Sequence, residues 1–183
     1  KLVNRIKKKV GTYFLKNEGD SVRRRKGSSF ATATDVALLY EDSSEDFFKK
    51  VKNYVRYLHE EHGVKKVMAF GFIDTDQKNV PIWHSHKLEF EYFTREDLNW
   101  HLKPSREVKV FTECDYDILI DLTTHDCVPL KYVVANSKAK MKVGRMGGVG
   151  EDYYDFLIDI KPNESLDTYI NQVNFYLTNM KIQ

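Results

Sequence analysis

The sequence predicts an α/β fold: a three-layer sandwich with a mostly parallel sheet of five or six strands, preceded by a basic amphipathic N-terminal helix. Three observations carry this expectation. Short apolar runs without polar alternation, such as VALLYE and YDILIDL, have the composition of strands covered on both faces. Between them lie segments with apolar residues at helical spacing and capping residues at their starts. Strand and helix alternate through most of the chain, as they do when parallel strands are joined by right-handed crossovers.

The first element, KLVNRIKKKVGTYFLKN, places Leu2, Ile6, Val10 and Phe14 at four-residue spacing, with Lys7, Lys8 and Lys9 mostly elsewhere on the wheel. In EGDSVRRRKGSSFATAT the consecutive cations Arg23, Arg24, Arg25 and Lys26 repel one another, and the segment reads as a linker or exposed loop. Residues 1–34 are therefore expected to form a basic helix and linker, and residues 35–183 a single α/β domain. Val36 to Glu41 reads as the first strand. Ser43 or Ser44 then caps a helix with Glu45 and Asp46 in its first turn, which ends at Gly63 and carries Phe47, Val51, Tyr54, Val55 and Leu58 as its apolar stripe.

Lys65 to Asp74 is expected as a second buried strand and KLEFEYF as an edge strand with one wet face. Thr94 starts a predicted short helix, TREDLNWHL, that stops before Pro104. Tyr116 to Leu122 is the next strand, followed by a loop and a helix beginning near Pro129, whose missing N–H suits a first turn. Lys140 to Gly144 and Tyr153 to Ile160 complete the strands, separated by the glycine-rich MGGVGED. Ser165 or Asn163 caps a last helix with Leu166, Tyr169, Ile170, Val173 and Leu177 on its apolar side.

Composition limits the classes of function. With 183 residues, 42% of them hydrophobic, and with 11 Phe, 11 Tyr and 2 Trp, the chain can order one domain around a real core. No apolar run approaches the roughly 20 residues of a membrane-spanning helix, and the first residues lack the apolar core of a secretory signal, so a cytoplasmic protein is expected. Cys114 and Cys127 are accordingly read as reduced thiols. His84 and His86 in WHSH share one face of an extended segment without a third ligand close in sequence; neither a metal nor a cofactor is expected.

The net charge of +2 conceals an asymmetry: residues 1–26 hold ten Lys or Arg against two acids, about +8, which leaves about −6 for the rest. Such a basic arm is an argument about partners. It reads as the exposed face of a helix docked on the body, as an anchor to an anionic membrane surface, or as a contact for nucleic acid or an acidic protein. The corresponding patch comprises Lys7, Lys8, Lys9, Arg23, Arg24, Arg25 and Lys26.

Ligands of open parallel sheets bind beyond the carboxyl ends of the strands. That rule selects the loops at 41–44, 73–80, 122–128 and 160–164, and within them Asp74, Asp121, Thr123, Thr124, His125, Asp126 and Cys127 as ligand-binding candidates. Cys127 at a helix N-terminus has the position of a stabilised thiolate, set against the plainer reading of an ordinary thiol in a loop and cap. The cluster GRMGGVGE lacks the spacing of a phosphate-binding loop and reads as a flexible loop, with Arg145 beside it as a possible anion contact.

FTECDYDILIDLT followed by ANSKAKMKVGR resembles an uncharacterised family of short α/β proteins from Bacteroidota, in the strand at Tyr116 to Leu122 and the segment at Ser137 to Gly144. The same segments are distantly similar to the N-terminal, acceptor-side half of heptosyltransferase-like (GT-B) glycosyltransferases. That resemblance implies a Rossmann-like topology. The sequence departs from the pattern in having YEDSSED where a glycine-rich turn follows the first strand, and no donor-binding second half lies within the 183 residues. The expected function is a non-catalytic binding or interaction module whose basic arm contacts an acidic partner. The alternative is a small-ligand or nucleotide-sugar binder, or a glycosyltransferase-like enzyme, using the strand-end cleft.

Overall fold

The computed structural model describes residues 2–84, 88–105, 108–161 and 163–182. Its centre is a six-stranded sheet formed by β1 (Asp35–Glu41), β2 (Lys66–Ile73), β3 (Phe90–Thr94), β4 (Ile118–Asp121), β5 (Met141–Arg145) and β6 (Phe156–Ile158). The order is β3-β2-β1-β4-β5-β6 and every pairing is parallel, which is the Rossmann-like arrangement. β1 and β4 are direct neighbours, with Val36 opposite Ile118 and Leu39 opposite Asp121. The strand order reverses between them, so the loops after β1 and β4 flank the switch point.

The unbroken apolar runs follow from cover on both faces. In β1, Val36, Leu38 and Tyr40 join a core beneath α2 (Glu45–His62) and α5 (Leu166–Asn179), together with Phe48, Val51, Leu58, Tyr169, Val173 and Leu177. Ala37 and Leu39 point the other way, into a second core with Phe70, Phe72, Phe111, Leu130 and Val133 under α3 (Lys109–Glu113) and α4 (Val128–Asn136). Ser44 and Ser165 cap α2 and α5 by accepting from the amides of Phe47 and Thr168.

α1 (Leu2–Lys16) adds a further layer by packing on the outside of α4. This explains why α4 is buried all round, from Val128 through Ala135. Contact is made through Gly11 and Leu15, while Leu2, Ile6 and Phe14 of the four-residue stripe remain 70%, 54% and 38% exposed. A methyl group at Gly11 would stand 2.7 Å from the carbonyl oxygen of His101, so glycine is what allows this close approach. The amphipathic pattern marked the helix and not its buried face.

Several expectations are revised. TREDLNWHL forms only a 3-10 turn at Arg95–Asp97: its start is capped, with the Asp97 carboxylate accepting from the amide and hydroxyl of Thr94, but Leu98 turns extended and bridges Pro104 instead of continuing the helix. α3 was not anticipated, and β6 is shorter than the segment expected for it. Residues 18–34 are no free tether: the amides of Ser21, Lys26 and Phe30 donate to the carbonyls of Ala135, Lys140 and Leu177. Among the described residues no helix is long and apolar enough to cross a membrane.

Candidate functional site

A cleft of 360 Å³ opens at the carboxyl ends of the strands, between them and the inner side of α1. Glu41 enters it from the end of β1, Asp74 from the loop after β2, Arg95 from beyond β3, and Asp126 and Cys127 from the loop after β4. Arg5, Lys7 and Lys8 of α1 form its other wall, and Phe72, Leu98, Leu102 and Val128 give it an apolar floor. The basic arm and the strand-end loops, two separate features of the sequence, thus line one cleft.

The rim is a set of charge pairs. Nε2 of His125 lies 2.6 Å from the Glu41 carboxylate, Nε of Arg95 2.9 Å from Asp74, and Nη2 of Arg145 3.4 Å from Asp126. The hydrogen bond to Glu41 raises the His125 pKa above its ordinary value; partial burial, Lys8 and Arg145 work against it. Asp126 also accepts from the amide of Val149, holding the glycine-rich loop against the loop after β4. At Gly148 a Cβ would lie 2.8 Å from that carboxylate, so a larger residue there would have to push the Asp126 side chain aside.

Other candidates face inward. Asp121 is 1% exposed; its carboxylate accepts from Tyr154 at 2.5 Å, from the hydroxyl of Thr123 at 2.7 Å and from Lys131 at 3.2 Å. Lys131 itself donates to the Tyr154 hydroxyl at 2.7 Å. Burial pushes the Asp121 carboxyl up, but the Lys131 ammonium and these hydrogen bonds outweigh it and hold the group below the ordinary carboxylate range. Asp121 and Thr123 therefore anchor α4 and the segment before β6 to the sheet. Thr124 is half-buried in the same loop.

Cys127 is the N-cap of α4, as its position suggested, yet burial and the neighbouring Glu41 push its thiol well above the usual range. The thiolate reading fails because desolvation outweighs the helix terminus.

The cations of the arm separate in space. Lys7 and Lys8 line the cleft, Lys9 points outward, and Arg24 and Lys26 are exposed. Arg23 leaves the surface patch, with its side chain 1% exposed in an ion pair 2.8 Å from Asp155 and donating to the carbonyls of Ala139 and Lys140. Arg25 pairs with Asp20 at 2.6 Å. Self-repulsion in the run is thus offset by Asp20 close by in sequence and by the distant Asp155. Among the described residues no group of three or more His, Cys, Asp or Glu side chains could hold a metal; the pairing of His84 with His86 lies outside the described residues, because His86 does.

Sequence reasoning did not single out Glu41, Arg5 or Arg95. Glu41 was findable as the last residue of β1 at the switch point. Arg95 was not, since its role depends on the pairing of β2 with β3 that brings it to Asp74.

The family of unknown function DUF6913 matches residues 7–180. The chain belongs to this family. No curated protein matches it. Among solved structures, this DUF6913 chain is similar to the E. coli heptosyltransferase WaaC with ADP, at a TM-score of 0.50 and 10% identity, covering 81% of the chain and 48% of that structure. The chain spans about half the length of the structure it matches. At this identity the likeness is one of fold, and it agrees with the Rossmann-like sheet order.

Proposed function

We propose that this protein is a binding module whose strand-end cleft takes a small anionic ligand, with α1 supplying the cations. One observation carries the reading. Each acid at the rim already has a cationic partner, Glu41 with His125, Asp74 with Arg95 and Asp126 with Arg145. Among the described residues Arg5, Lys7 and Lys8 form no ion pair across the cleft. The surplus charge is positive, and the apolar floor formed by Phe72, Leu98 and Leu102 suits a ligand with an uncharged portion beside its anionic group. A phosphorylated or nucleotide-like compound has this character.

A thermal-shift series with inorganic pyrophosphate, ADP and a nucleotide sugar, set against adenosine and the free sugar as uncharged counterparts, tests the reading. A ligand at about a hundred times its dissociation constant stabilises the fold by roughly 2.7 kcal/mol. Stabilisation by the anionic members, lost in Lys7→Glu/Lys8→Glu at unchanged intrinsic Tm, is the expected result. Equal shifts with uncharged counterparts, or no effect of the charge reversal, would refute it.

A second reading rests on the His125–Glu41 pair, which has the geometry of a general acid or base held by a carboxylate. If the cleft performs chemistry, His125→Ala abolishes turnover while ligand binding persists at high pH, where the wild-type imidazole is uncharged as well. Loss of binding and turnover together would limit His125 to a charge contact.

A further inference from the structure

The outward face of α1 is unlike the rest of the surface. Leu2, Ile6, Lys9, Tyr13 and Lys16 recur at three- and four-residue spacing and so share one side of the helix, opposite the Gly11 and Leu15 contact. Leu2 is 70%, Ile6 54% and Tyr13 66% exposed. The apolar surface extends onto the body, where Trp100, 63% exposed, stands edge-on to Phe14 at 5.5 Å between ring centroids. A soluble domain rarely leaves such a set of large apolar side chains in contact with water without a use for it.

From this face we infer that α1 is an in-plane anchor to an anionic phospholipid surface, with Leu2, Ile6, Tyr13 and Trp100 entering the interface and Lys9 and Lys16 meeting the headgroups. Leucine, isoleucine and aromatic residues interleaved with lysine on one exposed helix face fit a bilayer boundary, which offers acyl chains and negative charge together. A nucleic acid offers phosphates and no place for Leu2 or Ile6. A second copy of the chain would gain too little: a 15-residue helix is about 22 Å long and its exposed side covers a few hundred Å², against roughly 800 Å² contributed by each partner to a stable interface. Lys9 on one face would also oppose Lys9 on the other.

This inference concerns the outer side of α1 and does not depend on the ligand proposed for its inner side. The test is co-sedimentation of the full chain with phosphatidylcholine vesicles, with and without phosphatidylglycerol, read alongside Trp emission. Binding only to the anionic vesicles, weakened by salt and accompanied by a blue shift, is expected. Lys9→Glu/Lys16→Glu lowers the partition coefficient about tenfold or more. Ile6→Glu removes the blue shift while leaving Tm and the response to pyrophosphate unchanged, since Ile6 makes no contribution to the cleft. Equal binding to neutral vesicles, no binding to anionic ones, or binding insensitive to both variants would overturn the inference. So would a concentration-dependent dimer that Ile6→Glu disperses in the absence of lipid.

Discussion

The Tyr153 hydroxyl lies 2.6 Å from the carbonyl oxygen of Leu15, in the last turn of α1. It is also 2.6 Å from the carbonyl of Glu18, and the Tyr132 hydroxyl donates to the carbonyl of Gly11 at 3.0 Å. Carbonyls in the last turn of a helix lack donors from within it, and at Leu15 the body's Tyr153 joins the amide of Glu18 in supplying one, while Tyr132 ties the Gly11 carbonyl to the body. The orientation of α1, and with it the basic wall of the cleft, depends on these contacts.

Tyr153→Phe should therefore cost about 1–2 kcal/mol in chemical denaturation. It should also weaken anion binding in the cleft, because α1 loses its fixed end. Unchanged affinity in a destabilised variant would mean that α1 is held elsewhere.

Asp121→Asn should be among the most damaging single substitutions. It leaves Lys131, 1% exposed, without its carboxylate in a dry environment, at a cost of about 3–5 kcal/mol. Denaturant titration measures this directly. A variant of normal stability that has lost ligand binding would return Asp121 to the set of binding residues.

Lys142 is fully buried, with its ammonium 3.3 Å from Asp20, and burial lowers its pKa from 10.5 to about 8. Between those two values the unfolded chain binds more protons than the folded one, so this group's contribution to stability improves as pH rises through the window. Lys142→Met should stabilise the protein by about 1–3 kcal/mol at neutral pH, since Asp20 keeps Arg23 and Arg25 as partners. The gain should shrink toward alkaline pH, as the wild-type amine sheds its proton in the folded state. Parallel thermal melts of both proteins across this range check the slope.

His125 should make anion binding pH-dependent. Its hydrogen bond to Glu41 raises its pKa above 6.5, with Lys8 and Arg145 as the opposing charges. The imidazolium is fully present below that value and is lost as pH rises through the raised pKa. Affinity for pyrophosphate should fall over the same interval, and titration calorimetry of His125→Ala should give a flatter profile.

The strands were legible because burial on both faces leaves an unmistakable pattern: VALLY and the ILI between Asp117 and Asp121 are unbroken apolar runs. The caps of α2 and α5 were legible for a similarly local reason, a serine three residues before the amide it satisfies. The helix expected at TREDLNWHL is capped at Thr94 as its sequence suggests, yet it stops after one turn because Leu98 turns extended to bridge Pro104, a pairing that the helical pattern does not announce. Among the candidate site residues, proximity in sequence was misleading. Asp121 and Asp126 are five positions apart, yet one closes an internal network and the other holds a loop at the rim of the cleft.

The sequence by itself determined the parallel sheet, its flanking helices and the carboxyl-end rim, because period, capping and apolar continuity are properties of neighbours along the chain. The tertiary structure alone decided which side of α1 is buried, that Arg23 turns inward to Asp155, and that Cys127 is buried, with its thiol pushed up by desolvation. Burial and charge pairing depend on residues more than a hundred positions away, such as the Tyr153 that secures Leu15. No local pattern carries that information.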